Sequence, residues 1–255
     1  MSMTLPSSIS LELVPRTLDD FRAEVRDCFA GFPVLSALNI PEIRSVPVKS
    51  YEPSLMLLKD SVPVIPHFRL IDRSLPDLFT LLKNLVEAGL RKVLLIGGDP
   101  PKEAGFTPSG VTTLEAIRAV KREFPGLKVY AGLDPYRTSF REELDYALRK
   151  IDVGSDGFFT QPFFSQSLLE VWTEQFRGTE TWFGIAPVYS EKSKKYWEQV
   201  NKVVFPPEFS FSKEYNANLA ARLLKAISLS NQSAYLMPIA VSAKEYLNNI
   251  LNADV

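Results

Sequence analysis

Short β-rich apolar runs alternate with longer amphipathic segments along the whole chain. Eight runs read as strands, at 8–14, 35–41, 62–71, 92–98, 128–134, 157–162, 182–188 and 234–240. Between them the spacing predicts helices at 18–30, 54–59, 75–88, 112–124, 140–153, 167–176 and 215–228, with a last one at 244–251 closing the ring. Within 75–88 the apolar residues Leu78, Leu81, Leu82 and Leu85 form one stripe, suited to packing on a sheet. Thr17 precedes Asp19 and Asp20, a polar cap followed by carboxylates at the positive end of a helix. Gly89, Gly126 and Gly154 each follow a helical pattern, where a left-handed residue ends a helix cheaply. The stretch 201–213, with Pro206 and Pro207, predicts an irregular excursion. Eight such units close best as one (β/α)8 TIM barrel domain over residues 1–255. An open doubly wound sheet is the alternative, but the first turn, Val14-Pro15-Arg16-Thr17, lacks a dinucleotide glycine fingerprint.

Composition narrows the function classes. With 45 % apolar and 23 % charged residues, the 255-residue chain can bury a large core. A net charge of −1 provides no broad basic field, which argues against nucleic acid as the main partner. Cys28 is the only cysteine, so neither an internal disulfide nor a thiolate metal cluster can form, and its helical position predicts a packing role. His67 is the only histidine, which excludes multi-histidine zinc sites and leaves no triad elsewhere. The opening MSMTLPSSIS has no basic segment followed by an apolar run, and no stretch reaches the roughly 18–20 apolar residues of a membrane span. A reducing cytoplasm is the expected location.

In a barrel, chemistry gathers where strands hand over to the following loops. Glu12 sits among apolar neighbours in the first strand, as either a general acid with a raised pKa or an outward carboxylate paired to a helix. The third strand ends with His67, Arg69, Asp72 and Arg73, which suit anion binding or a structural ion-pair cluster. Asp99 follows Gly97 and Gly98, where either a ligand meets the backbone closely or the turn has geometric needs only. Thr160 and Gln161 lie amid Phe158, Phe159, Phe163 and Phe164. That mix suits edge recognition and stacking of a flat heteroaromatic ring, or else the rings are core and the amide is solvated. Arg149 and Lys150 end the fifth helix pattern, where a solvated face or a dipole contact is the plain expectation.

Taken in order, these segments resemble the methylenetetrahydrofolate reductase family. Ser10 to Thr17 is similar to the family's Phe-Glu-Phe-Phe-Pro-Pro stretch, and His67 to Asp72 to its His-Leu-Thr-x-x-Asp strand. Gly98-Asp99-Pro100-Pro101 resembles the Gly-Asp-x-Pro turn, and Gly184 to Val188 the Gly-Ile-x-Pro segment. Leu148 to Gly154 followed by Thr160 to Phe164 resembles the Lys-x-Asp-Ala-Gly…Thr-Gln-x-Phe-Phe block. The resemblance implies a TIM-barrel oxidoreductase reducing 5,10-methylenetetrahydrofolate to 5-methyltetrahydrofolate through bound FAD. It implies Glu12 as the acid that opens the imidazolidine ring, with Asp99 also catalytic and near flavin and pterin. It implies Gln161, with Phe163 and Phe164, as the folate site, and His67, Asp99, Arg149 and Lys150 as FAD contacts. The electron donor would be NADH, NADPH or a protein, and the chain a homo-oligomer or a subunit of a complex. The sequence also departs from the pattern. Gly97 replaces the family's arginine, the loop after Leu133 is shorter, and the last strand reads Tyr235-Leu236-Met237-Pro238. These departures fit a divergent member. They also fit a folate-binding barrel subunit without independent reductase activity.

Overall fold

The computed structural model describes residues 4–100 and 105–253. Its strands are β1 (Ile9–Glu12), β2 (Leu35–Ile40), β3 (Val64–Arg69), β4 (Lys92–Ile96), β5 (Lys128–Leu133), β6 (Gly157–Pro162), β7 (Glu180–Ile185) and β8 (Ser233–Leu236). Its helices are α1 (Leu18–Gly31), α2 (Tyr51–Lys59), α3 (Leu75–Glu87), α4 (Thr113–Glu123), α5 (Phe140–Asp152), α6 (Gln166–Gln175), α7 (Glu191–Val200), α8 (Lys213–Leu229) and α9 (Ala243–Leu251). All neighbouring strands pair in parallel, and β1 also pairs with β8, Ile9 lying beside Ala234. The sheet therefore closes as the predicted (β/α)8 barrel. Among the described residues no helix is long and apolar enough to cross a membrane.

Alternate strand residues point to opposite faces. Ala37, Ile65, Leu94, Tyr130, Phe159 and Trp182 fill the barrel interior, while Leu38, Phe68, Leu95 and Phe183 meet the helices. Because both faces are covered, each strand reads as a nearly unbroken apolar run. Cys28 is buried against this outer core, as its helical position predicted.

Element ends follow local chemistry. Thr112 and Ser139 open α4 and α5 with full capping boxes, paired to Glu115 and Glu142. Gly89 and Gly154 adopt φ of +103° and +106°, as their positions after helices predicted. Gly126 does not adopt a positive φ: α4 stops at Glu123 and Pro125 intervenes, so the helix ends without a left-handed residue. β7 and β8 stop short of the predicted 188 and 240, before Pro187 and Pro238, which lack the ladder donor. β3 ends at Arg69 and gives way to a single 3-10 turn over Leu70–Asp72. The helix predicted at 54–59 begins earlier, at Tyr51, with Pro53 in the first turn, where no intrahelical donor is required. α7 escapes the apolar pattern because Trp197 is its one buried residue. With the irregular 201–212 stretch it builds a satellite core of Phe164, Val188, Trp197, Val203 and Phe205, joined by Tyr136 and Ile239. These residues come from the loops after β5 to β8, so this core walls one side of the barrel mouth.

Candidate active site

The floor of the mouth is built where β8 meets β1. Ser10 lies beside Tyr235 in the register, and Tyr235 belongs to the interior cluster. Glu12, two residues beyond Ser10, shares that inward direction, and the Tyr235 hydroxyl donates to Glu12 Oε2. This settles the alternative left open by the sequence: Glu12 faces the interior, not a helix. Its side chain is recessed and surrounded by protein, yet the residue keeps partial solvent access. Burial drives its pKa from 4.5 up to about 7, against the opposing pull of the Tyr235 hydrogen bond. Tyr235 is itself raised well above 10 by burial and by the adjacent carboxylate, so its proton stays available to donate.

His67 continues the floor on β3. Its ring lies 6.4 Å from that of Tyr235 in an edge arrangement, and Asn39 Nδ2 sits 2.9 Å from its Nε2. Burial lowers the imidazole to about 3, so it is neutral and unsuited to pairing with phosphate. The Ser50 hydroxyl donates to the His67 carbonyl at 2.6 Å and fixes the backbone there. Asn39 Oδ1 and Ser10 Oγ are buried without a partner among the described residues, the kind of atoms that a water or a ligand completes.

The rim over β3 to β5 is an ion-pair cluster. Arg69 holds Asp72 at 2.6 Å and donates to the Asp99 carbonyl at 2.9 Å. Arg137 reaches the Asp99 carboxylate at 3.0 Å. Arg73 pairs with the buried Glu42, which also accepts from the Arg69 amide at 2.7 Å. Burial raises Glu42, opposed by these partners. Asp99 itself is 79 % exposed. It stands at the lip, outside the Glu12 floor, in a turn whose following Pro101 lies outside the described residues.

Gln161 is half-buried at the C-terminal end of β6, beside a bulge against β7. The Thr160 hydroxyl accepts from the Gly184 amide at 2.8 Å and donates to the Gln161 carbonyl at 2.8 Å. A Cβ on Gly184 would lie 2.7 Å from Thr160 O, so only glycine fits against the bulge. The Gln161 side-chain amide has no hydrogen-bond partner among the described residues, which leaves it free for a ligand. Phe163 and Phe164 do not accompany it. Both are fully buried: Phe163 packs 5.8 Å from Phe183, and Phe164 packs 4.7 Å from Phe205. Phe163 joins the outer core against the helices and Phe164 is sealed inside the satellite core, so neither ring is open to a ligand.

Arg149 and Lys150 are not brought to the mouth either. Helix α5 runs back from the C-terminal end of β5, so the backbone of its last turn lies toward the opposite end of the barrel, and only the Lys150 side chain climbs back. Arg149 is exposed there, its guanidinium 5.2 Å from the Tyr146 ring centre. Lys150 is buried, and its ammonium donates to Gly132 O at 2.8 Å, with Glu143 at 3.7 Å. A flavin dinucleotide needs cationic or amide donors free to meet its phosphates. The two residues implied for those phosphates are a distant arginine and a sealed lysine, while His67 is neutral and Asp99 is paired to Arg137. They do not fit that group. Two concavities border the rim, one of about 540 Å³ beside Tyr189, Phe211, Lys213 and Glu245, the other of about 340 Å³ beside Glu42, Arg44 and Phe106. Neither is lined by His67, Asp99, Arg149 or Lys150.

Sequence reasoning passed over Tyr235 and Asn39. Tyr235 was legible only as a departure in the last strand, and Asn39 as one polar residue in an apolar run. Parity with the inward residues of the same strands is the signal that would have found both.

The family profile described as methylenetetrahydrofolate reductase matches residues 48–228. That span contains His67, Asp99, Arg149, Lys150 and Gln161 and leaves out Glu12 and Tyr235. Among solved structures, oxaloacetate acetylhydrolase in complex with the product oxalate is similar at a TM-score of 0.60 and 12% identity, covering 94% of this chain and 78% of that one. A 2,3-dimethylmalate lyase of the PEP mutase/isocitrate lyase superfamily is similar at 0.59 and 13% identity, covering 95% and 78%. At such identities the likeness shows the fold alone.

Proposed function

The chain belongs to the methylenetetrahydrofolate reductase family, and we propose that it is an enzyme that reduces 5,10-methylenetetrahydrofolate to 5-methyltetrahydrofolate with Glu12 as its acid. The observation that carries this reading is an inward carboxyl at the barrel mouth, poised near 7 and hydrogen-bonded by Tyr235. Opening the imidazolidine ring requires a proton on N10 as its bond to the methylene carbon breaks. The resulting iminium carbon then accepts a hydride and becomes the methyl group. A carboxyl with a pKa near neutrality is half protonated there, which suits proton delivery. Tyr235 holds it on the interior side, and Gln161 offers a donor and an acceptor to the amide-like edge of the pterin. The hydride comes from a reduced carrier, for which NADH and NADPH are the soluble candidates. No step is routed through FAD, because the residues implied for it do not fit it.

The sealed Lys150 supports a second reading, in which the barrel binds the folate and a partner protein supplies the electrons. One pair of measurements separates them. The enzyme reading expects saturable binding of 5-methyltetrahydrofolate and formation of that product from 5,10-methylenetetrahydrofolate with NADH or NADPH alone. Binding without turnover supports the subunit reading, and absence of binding removes both.

A further inference from the structure

We infer that Lys150 and Glu143 form a buried clamp joining α5 to the end of β5, and that Lys150 therefore does not hold the phosphates of a flavin dinucleotide. The inference deepens the proposed function by constraining where its electrons enter, and it rests on that reading for its meaning in catalysis. Glu143, Ala147 and Lys150 are the buried residues of α5, at the spacing that keeps one helical face toward the barrel. A helical side chain leans toward the N-terminus of its helix. From the last turn, the lysine therefore climbs beside Tyr146, its ammonium 4.0 Å from that ring centre. It ends on Gly132 O at 2.8 Å and 3.7 Å from Glu143 Oε1. Glu143 completes the clamp by accepting from the Asp134 amide at 3.1 Å. The side chains are only 4 % and 7 % exposed. Burial lowers the lysine's pKa, opposed by its contact with Glu143.

The loop above the clamp is fastened as well. Asp134 accepts from the Tyr136 amide at 3.0 Å, and the Tyr136 hydroxyl donates to Pro162 O at 3.0 Å. The shortened segment after β5 thus lies over the clamp and is tied to the end of β6. A phosphate reaching Lys150 would have to displace Glu143, the Gly132 carbonyl and this loop together. Removing one partner of a buried pair leaves the other charge uncompensated, whereas replacing both is far milder.

Three proteins test the assignment: the wild type, Lys150→Met, and Glu143→Gln/Lys150→Met. Each is titrated with FAD by flavin fluorescence, unfolded thermally, and tested for 5-methyltetrahydrofolate binding. The clamp predicts that Lys150→Met lowers the Tm by ~6–20 °C, from the usual cost of an orphaned buried charge in a domain of this size. The double variant should recover at least half of that loss, since the uncharged amide of Glu143→Gln can still accept from the Asp134 amide. FAD should give no saturable signal, or one that Lys150→Met leaves unchanged. If Lys150→Met alone does not fold, the double variant carries both readouts. A Lys150→Met protein as stable as the wild type would overturn the clamp. So would saturable FAD binding that weakens tenfold or more when Lys150 is removed. Loss of folate binding in the wild type would instead strike the proposed function and leave the clamp standing.

Discussion

Replacing Tyr235 with phenylalanine removes a single hydroxyl from the floor of the mouth and keeps the ring that packs near His67 and Phe159. That hydroxyl donates to Glu12, and the bond favours the ionised carboxylate. A hydrogen bond to a charged group is worth about 1.5–3 kcal/mol. One pKa unit corresponds to about 1.4 kcal/mol. The full bond would therefore hold the Glu12 pKa down by ~1–2 units. The neutral acid keeps part of the same contact, so the lower end, ~1 unit, is expected. Glu12 should move from about 7 in the wild type to ~8 in Tyr235→Phe. The assay is a titration of side-chain carboxyl carbons by carbon-13 NMR, with Glu12→Gln assigning the signal. Catalysis should follow. Activity that needs protonated Glu12 falls as pH rises through its pKa, so the alkaline limb of kcat should shift upward by the same amount. A Glu12 signal that stays near 7, or moves toward acid, in Tyr235→Phe would refute the assignment of Tyr235 as the donor that tunes it.

Other outcomes follow from the same geometry. Glu12 is raised in the folded state, so its contribution to stability is full below 4.5 and is lost as pH rises through about 7. Glu12→Gln should therefore gain up to about 2–3 kcal/mol relative to the wild type between pH 4 and pH 8, a gain read from urea unfolding at the two values. Gln161→Ala should weaken 5-methyltetrahydrofolate binding about tenfold to a hundredfold by calorimetry, because the pterin edge loses its partner. Phe164→Ala should cost about 3–5 kcal/mol in denaturant unfolding, since its ring fills the satellite core between Trp197, Phe205 and Phe209. A surface-like loss well under 1 kcal/mol would mean that the Phe164 ring is not sealed in that core and is open to a ligand.

The barrel was legible because its two buried faces write themselves into the chain as eight apolar runs separated by amphipathic stretches. Helix starts were legible where a hydroxyl stands before a carboxylate, as at Thr17. What remained hidden depends on which way a side chain points. Glu12 could be singled out as an unusual strand carboxylate, but its inward direction follows from closure of β1 on β8, a contact between residues some 223 positions apart. Phe163 and Phe164 looked like an open stacking wall, but Phe163 turns to the outer core and Phe164 is sealed within the satellite core. Lys150 looked like a solvated helix end, and charged residues seldom line the inner face of a helix. Its partner lies two turns back on the same face, a spacing that also describes an ordinary surface pair. α7 was missed because a helix with one buried tryptophan has almost no apolar period to read.

Proton delivery by Glu12 is tested most directly by comparing wild type and Glu12→Gln in the conversion of 5,10-methylenetetrahydrofolate to 5-methyltetrahydrofolate, with folate binding measured on the same samples. Glutamine keeps the shape and can still accept from Tyr235, but it has no proton to give. The predicted result is product formation by the wild type and a loss of about 10²–10⁴-fold in the variant, with binding within a few-fold. Near-normal turnover by Glu12→Gln would contradict the assignment and take the carboxyl out of the chemistry.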